Sequence, residues 1–155
     1  KRHSLEESTP DFWDWLLEVN LTASYFACQE AARQMTNGGA IINFSSISYM
    51  MGNAGYPIYT TSNAGITGMT RSLARELGPQ NIRVNALAPG WVLTQKQLDM
   101  WATPEDLAAH MDRQCLKEHL TPEEMMAPTL LRASNASRAM TGQCMVVDGG
   151  VVVTG

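Results

Sequence analysis

No run of basic residues, no apolar stretch of membrane-spanning length and no glycine-rich phosphate turn occurs in this 155-residue sequence. The first absence, with a net charge of -4, argues against nucleic acid and against an anionic membrane surface as partners. The second leaves no candidate transmembrane helix, and no signal-peptide pattern is present. Cysteine is scarce: Cys28, Cys115 and Cys144 are odd in number and share no metal-ligand spacing. They read as reduced thiols of a cytoplasmic protein, not as a disulfide framework. His3, His110 and His119 share no ligand spacing either, so no metal is expected and the three rings read as surface residues. Charged residues make up only 17% against 45% hydrophobic, which excludes a disordered chain and leaves a globular domain with a sizeable core.

What is present is an alternation of helical and strand-like patterns. Thr9 can cap and Pro10 can take the first turn of a helix over 10–35, in which apolar residues recur at Phe12, Leu16, Val19 and Phe26. Asn37, Gly38 and Gly39 stop it. "AIINFSS", 40–46, reads as a strand buried on both faces and ended by Ser46. A second helix is predicted from near Tyr59 over 58–77, with Ile66, Met69, Leu73 and Leu77 inside and Gly78-Pro79 as its stop. "NIRVNALAPG", 81–90, is a β-branched strand broken by Pro89-Gly90. The polar segment 94–120 holds one predicted helix near 104–118. Connections of that length are uncommon without a function, and it reads as a substrate lid. A third long helix starts at the cap Thr121, and "CMVVDGG", 144–150, is the last strand.

Helices alternating with buried strands make a parallel sheet wound by right-handed crossovers. Three strands are half of a doubly wound, Rossmann-type α/β fold that binds dinucleotides. The G-x-G-x-x-G turn of that fold is missing, and Gly38-Gly39 follows a helix and precedes a strand, the wrong order to replace it.

Small residues surround Tyr59 in "GYPIYTTSNAGITG", which leaves its ring open on one side. Ser46 and Tyr59 both fall at the carboxyl ends of strands, where such folds place ligands. A serine that fixes an oxygen and a phenol that exchanges its proton would make an acid–base pair. Asn20 is an amide among apolar neighbours and needs partners if buried. The bend "PGWVLT" offers main-chain groups to an amide-bearing ring.

In order along the chain, "VN" at 19 and 20, "IINFSS", the Tyr59 helix, "TRSLARELGPQNIRVNALAPG", "PGWVLT" and "VVDGG" resemble the C-terminal part of a short-chain dehydrogenase/reductase. The resemblance covers nearly the whole of 1–155. It implies a single Rossmann-type domain, NAD or NADP as cofactor, and a homo-oligomer formed through helices 10–35 and 58–77. By position it implies that Asn20, Ser46 and Tyr59 are the family's catalytic asparagine, serine and tyrosine. Pro89, Gly90, Val92 and Thr94 match the segment that holds the nicotinamide carboxamide, and Tyr59 lies beside the same ring. "SISY", "GYPIY", "PGWVLTQKQLDMW" and "QCLK" resemble, more narrowly, enzymes that oxidise the C1 hydroxyl of aldoses to lactones, with Ser48 and Trp91 at the sugar. The same resemblance implies that about three further βα units, carrying the glycine-rich turn, precede Lys1.

Three positions depart from that pattern. Asn63 stands where the family has the lysine that assists the tyrosine and binds the nicotinamide ribose. A free phenol titrates near pH ~10, and an asparagine brings no charge to change that. Pro128 falls inside the last helix, at a cost of ~3 kcal/mol. Arg132 replaces a core-facing leucine in "LLRAS". These departures raise a second expectation: a non-catalytic truncated paralogue that associates with full-length subunits.

Overall fold

The computed structural model describes residues 3–153; Lys1, where the sequence opens, lies outside them. Three parallel strands form one sheet in the order β1 (Gly39–Phe44), β2 (Ile82–Pro89), β3 (Cys144–Val147). The register runs from Gly39 opposite Ile82 to Phe44 opposite Leu87, and from Ala86 opposite Cys144 to Pro89 opposite Val147. On one face lie α2 (Ala23–Gln34) and α4 (Pro57–Leu77), closing a core of Cys28, Ile41, Ala74, Leu77, Ile82 and Val84. On the other, α7 (Pro122–Ala133) brings Met125 against Leu87 and Leu120. Each buried valine, leucine, isoleucine or methionine among them contributes about 1.5–3 kcal/mol by leaving water. The α/β fold is therefore the one expected, with β2 central and all three strands ending at one edge of the layer.

Local chemistry explains most element boundaries. The Thr9 hydroxyl accepts the Phe12 N–H and starts α1 (Pro10–Leu17). Thr121 and Glu124 form the capping box of α7, the Thr121 N–H donating to Glu124 Oε2 at 2.6 Å. The far end of α7 is held by Arg83 on β2, whose guanidinium donates to the carbonyls of Arg132, Ala133 and Ser134 and to Ser137 Oγ. Pro128 lies inside α7, as predicted.

Several expectations need correction. The helix over 10–35 is interrupted by a π turn at Glu18–Thr22, and of its recurring apolar positions Val19 and Phe26 are 54% and 57% exposed while Leu16 is buried. Strand β1 stops at Phe44, which is exposed, so Ser46 lies in the loop beyond it, ahead of the short helix α3 (Ser48–Met51). Only the Ile41 and Asn43 face of β1 is fully buried, because β1 is an edge strand. Asn43 is satisfied there by Cys28 and Thr70. The segment 94–120 holds two helices, α5 (Gln95–Met100) and α6 (Pro104–Arg113). Helix α6 stops before 118 because Gln114 turns extended, buries its side chain and donates to the carbonyls of Leu116 and Glu118. Lys117 then caps α6 through the carbonyls of Met111, Asp112 and Gln114. Strand β3 is also shorter than predicted, since Gly149 and Gly150 take positive φ directly after Asp148.

Arg132 is 3% exposed, and burial holds its guanidinium below its usual range. Its Nη1 reaches Asn85 Oδ1 at 3.4 Å and its Nε has no partner among the described residues. Nothing in the structure explains why an arginine stands there.

Candidate active site

A cleft of about 1140 Å³ opens at the carboxyl ends of the strands. Asn20, Ser46, Ser48 and Tyr59 line it from one side. Pro89, at the end of β2, and Gly90, Trp91, Val92 and Thr94 in the loop after it line it as well. Each is positioned by an identifiable contact. The π turn carries Asn20, whose side-chain amide donates to the Leu16 carbonyl at 2.9 Å. Such turns inside helices concentrate at functional sites. That turn packs onto α4 at Gly65, where an added Cβ would lie 2.9 Å from Leu21 Cδ2. Ser46 Oγ accepts the Ser48 N–H at 3.2 Å, which fixes the loop after β1. Gly90 lets the loop after β2 lie against the turn at Asp148, since a Cβ would meet Asp148 Cα at 2.8 Å.

Tyr59 sits in the first turn of α4, 37% exposed, its ring edge-on to Tyr56. Asn63, one turn on, does not line the cleft. It is 4% exposed, and its Nδ2 donates to the Tyr59 main-chain carbonyl at 2.9 Å. The same carbonyl accepts the Ser62 hydroxyl at 2.8 Å. Beneath them, Ser45 Oγ donates to the Asn63 carbonyl and contacts Thr67 Oγ1. No positive charge reaches the phenol from the Asn63 position.

The segment 94–120 supplies residues that the sequence reading passed over. His110, assigned to the surface, instead lines the cleft and stands edge-on to Trp91. Burial lowers its pKa, Arg113 adds to the effect, Asp148 opposes it and His119 adds a smaller lowering. Gln97 also lines the cleft and accepts the Trp91 indole N–H at 2.9 Å. A signal was available: Asp106, Ala109, His110 and Arg113 recur at one-turn intervals, which puts them on one face of α6, and all four line the cleft. Among the described residues no group of His, Cys, Asp or Glu could hold a metal ion, and no helix is long and apolar enough to cross a membrane.

A family model described as enoyl-(acyl carrier protein) reductase matches residues 1–152. The chain belongs to the short-chain dehydrogenase/reductase family. This short-chain dehydrogenase/reductase chain is 47% identical over 152 residues to the "Probable galactose dehydrogenase GalD" of Rhizobium meliloti (strain 1021), covering 97% of the chain and 59% of that protein. It is 44% identical over 151 residues to the D-xylose 1-dehydrogenase of Caulobacter vibrioides (strain NA1000 / CB15N), covering 96% and 60%. A solved 4-hydroxyisoleucine dehydrogenase complexed with NADH superposes with a TM-score of 0.88 at 26% identity, covering 97% of this chain and 64% of that one. The chain thus spans about 60% of the length of the curated relatives it matches.

Proposed function

We propose that this chain carries the substrate side of an NAD- or NADP-dependent dehydrogenase that oxidises a sugar at C1 to a lactone. The single observation behind this reading is the convergence of Asn20, Ser46, Tyr59 and the segment Pro89–Thr94 on one cleft, in a chain 47% identical to the "Probable galactose dehydrogenase GalD". The residues present suit the nicotinamide end of the cofactor. The Val92 main chain and the Thr94 hydroxyl, whose oxygen accepts the Gln97 N–H, line the cleft with Ser46 and Tyr59. Val92 and Thr94 would hold the nicotinamide end, and the cofactor would supply the hydride acceptor for C1. Ser46 holds the substrate oxygen, Tyr59 takes its proton, and the C1–O bond becomes a carbonyl as the C1–H bond breaks. Asn20 orders water behind the phenol. The segment 94–120 acts as the substrate lid, and Ser48 and Trp91 meet the sugar.

A second reading has its own support. Asn63 is buried and bonded to its own helix, so this position offers the phenol no cation. In that reading the chain is a non-catalytic paralogue that joins full-length subunits. The apolar residues left exposed on the first helices, beside a groove of about 550 Å³ against α4, favour it. The first reading uses helices 10–35 and 58–77 for self-association and the second uses them to join full-length subunits, and we propose a cytoplasmic location for both, in keeping with three free thiols.

The test is a fusion of this chain to the glycine-rich portion of a curated relative, assayed for aldose-dependent reduction of NAD and NADP. Turnover with an aldose but not with its 1-deoxy analogue supports the enzymatic reading. No aldose turnover in either the wild-type fusion or its Asn63→Lys form overturns it.

A further inference from the structure

Two buried polar atoms of cleft-lining residues have no partner among the described residues: Ser48 Oγ, in a residue 6% exposed, and His110 Nε2. Buried polar atoms are nearly always paired in folded proteins, so an unpaired one beside a cavity asks what completes it. His110 stands against Trp91 with ring centroids 5.3 Å apart and planes at 89°. The indole is itself fixed, since its N–H is taken by Gln97 Oε1. Together they form a corner with a flat apolar surface and hydrogen-bonding groups at its rim. A pyranose has the complementary shape, with C–H groups on its face and hydroxyls at its edge.

We propose that His110 is a specificity-determining residue, bonding one ring hydroxyl of a neutral aldose through Nε2 while Trp91 supports the sugar face and Ser48 meets a second hydroxyl. This rests on the sugar-oxidising reading and adds the residue that distinguishes one sugar from another. A neutral imidazole donates from one nitrogen and accepts at the other, so it can serve a hydroxyl in either sense. A site built to bond a hydroxyl rejects the sugar that lacks it, because the site's own buried group is then left unpaired.

The experiment titrates the chain itself with D-galactose, D-xylose and their single-deoxy analogues, following the imidazole and indole N–H signals by NMR. At least one parent sugar is expected to shift the His110 and Trp91 signals, and one of its deoxy analogues to bind about tenfold to a hundredfold more weakly. His110→Phe keeps a ring against Trp91 but removes the nitrogens. It should weaken the parent sugar by the same factor and bind parent and analogue alike. His110→Gln, still able to bond a hydroxyl, should recover most of the affinity, and the amide spectrum of each variant reports its fold. Equal binding of the parent sugar by wild type and His110→Phe overturns the assignment and leaves the sugar reading standing. If neither sugar perturbs the wild-type signals, both fall together.

Discussion

Asn63 donates its side-chain amide to the main-chain carbonyl of Tyr59, 2.9 Å away and one helical turn back. That bond uses the side chain within α4, and Asn63 is buried and does not line the cleft. An ammonium at this position would favour the phenolate, because an opposite charge close to an acid shifts its titration by one to three units. In the fusion described above, Asn63→Lys is expected to raise turnover near neutral pH by roughly tenfold to a thousandfold. The gap should narrow as the pH rises and the wild-type phenol ionises by itself. Equal rates near neutrality would show that the phenol needs no cation here.

His110 sets a pH dependence whose sign follows from its surroundings. Burial and Arg113 disfavour the imidazolium, and His119 adds to them, while Asp148 favours it. The folded chain therefore binds fewer protons at this ring than the unfolded chain over the interval from about pH 6.5 down to the folded pKa. Stability is unaffected above that interval and is lost as the pH falls through it. Urea midpoints measured at about pH 7.5 and about pH 5.5 should fall more for wild type than for His110→Gln, which has nothing to protonate. Parallel falls in the two proteins would contradict the assignment.

The apolar residues exposed on the first helices predict self-association. Val19 and Phe26 are exposed, and Phe26 lines the groove between α2 and α4 together with Tyr25. Burying a side chain of this size contributes about 1.5–3 kcal/mol, so Phe26→Glu should weaken association by about tenfold or more. Light scattering across a dilution series reads this directly. A wild-type chain that stays monomeric at every concentration would remove the expectation.

Arg83 ties β2 to the end of α7 through four hydrogen bonds. Bonds from a charged donor are each stronger than neutral ones, and their loss leaves the last helical carbonyls unserved. Arg83→Ala is expected to cost about 1.5–3 kcal/mol in urea unfolding. Arg83→Lys, with one ammonium in place of a planar fork, should fall between. A change within about 0.5 kcal/mol would mean that solvent serves those carbonyls equally well.

The reading of residues in order was most informative where the physics is local. Caps at Thr9 and Thr121, the stop at Gly78-Pro79 and the β-branched run of β2 depend on neighbours along the chain, and each stands where predicted. Alternation of such elements is enough to imply a parallel sheet with its chemistry at the carboxyl ends, and the candidate residues apart from Asn63 line one cleft there. Which way a side chain faces depends on what lies across from it, and there the sequence was a poor guide. The π turn at Glu18–Thr22 shows why. An α-helix advances about 100° per residue, so one extra residue in a turn rotates everything after it by that amount. The stripe begun at Leu16 therefore continues at Cys28, which is buried, while Phe26 turns out to solvent. His110 and Asn63 follow the same rule: α6 folds back over Trp91 and makes one a cleft residue, and α4 packed on the sheet makes the other a buried strut. Chain-local geometry is encoded by spacing, but the facing of a helix is decided only when its partners arrive.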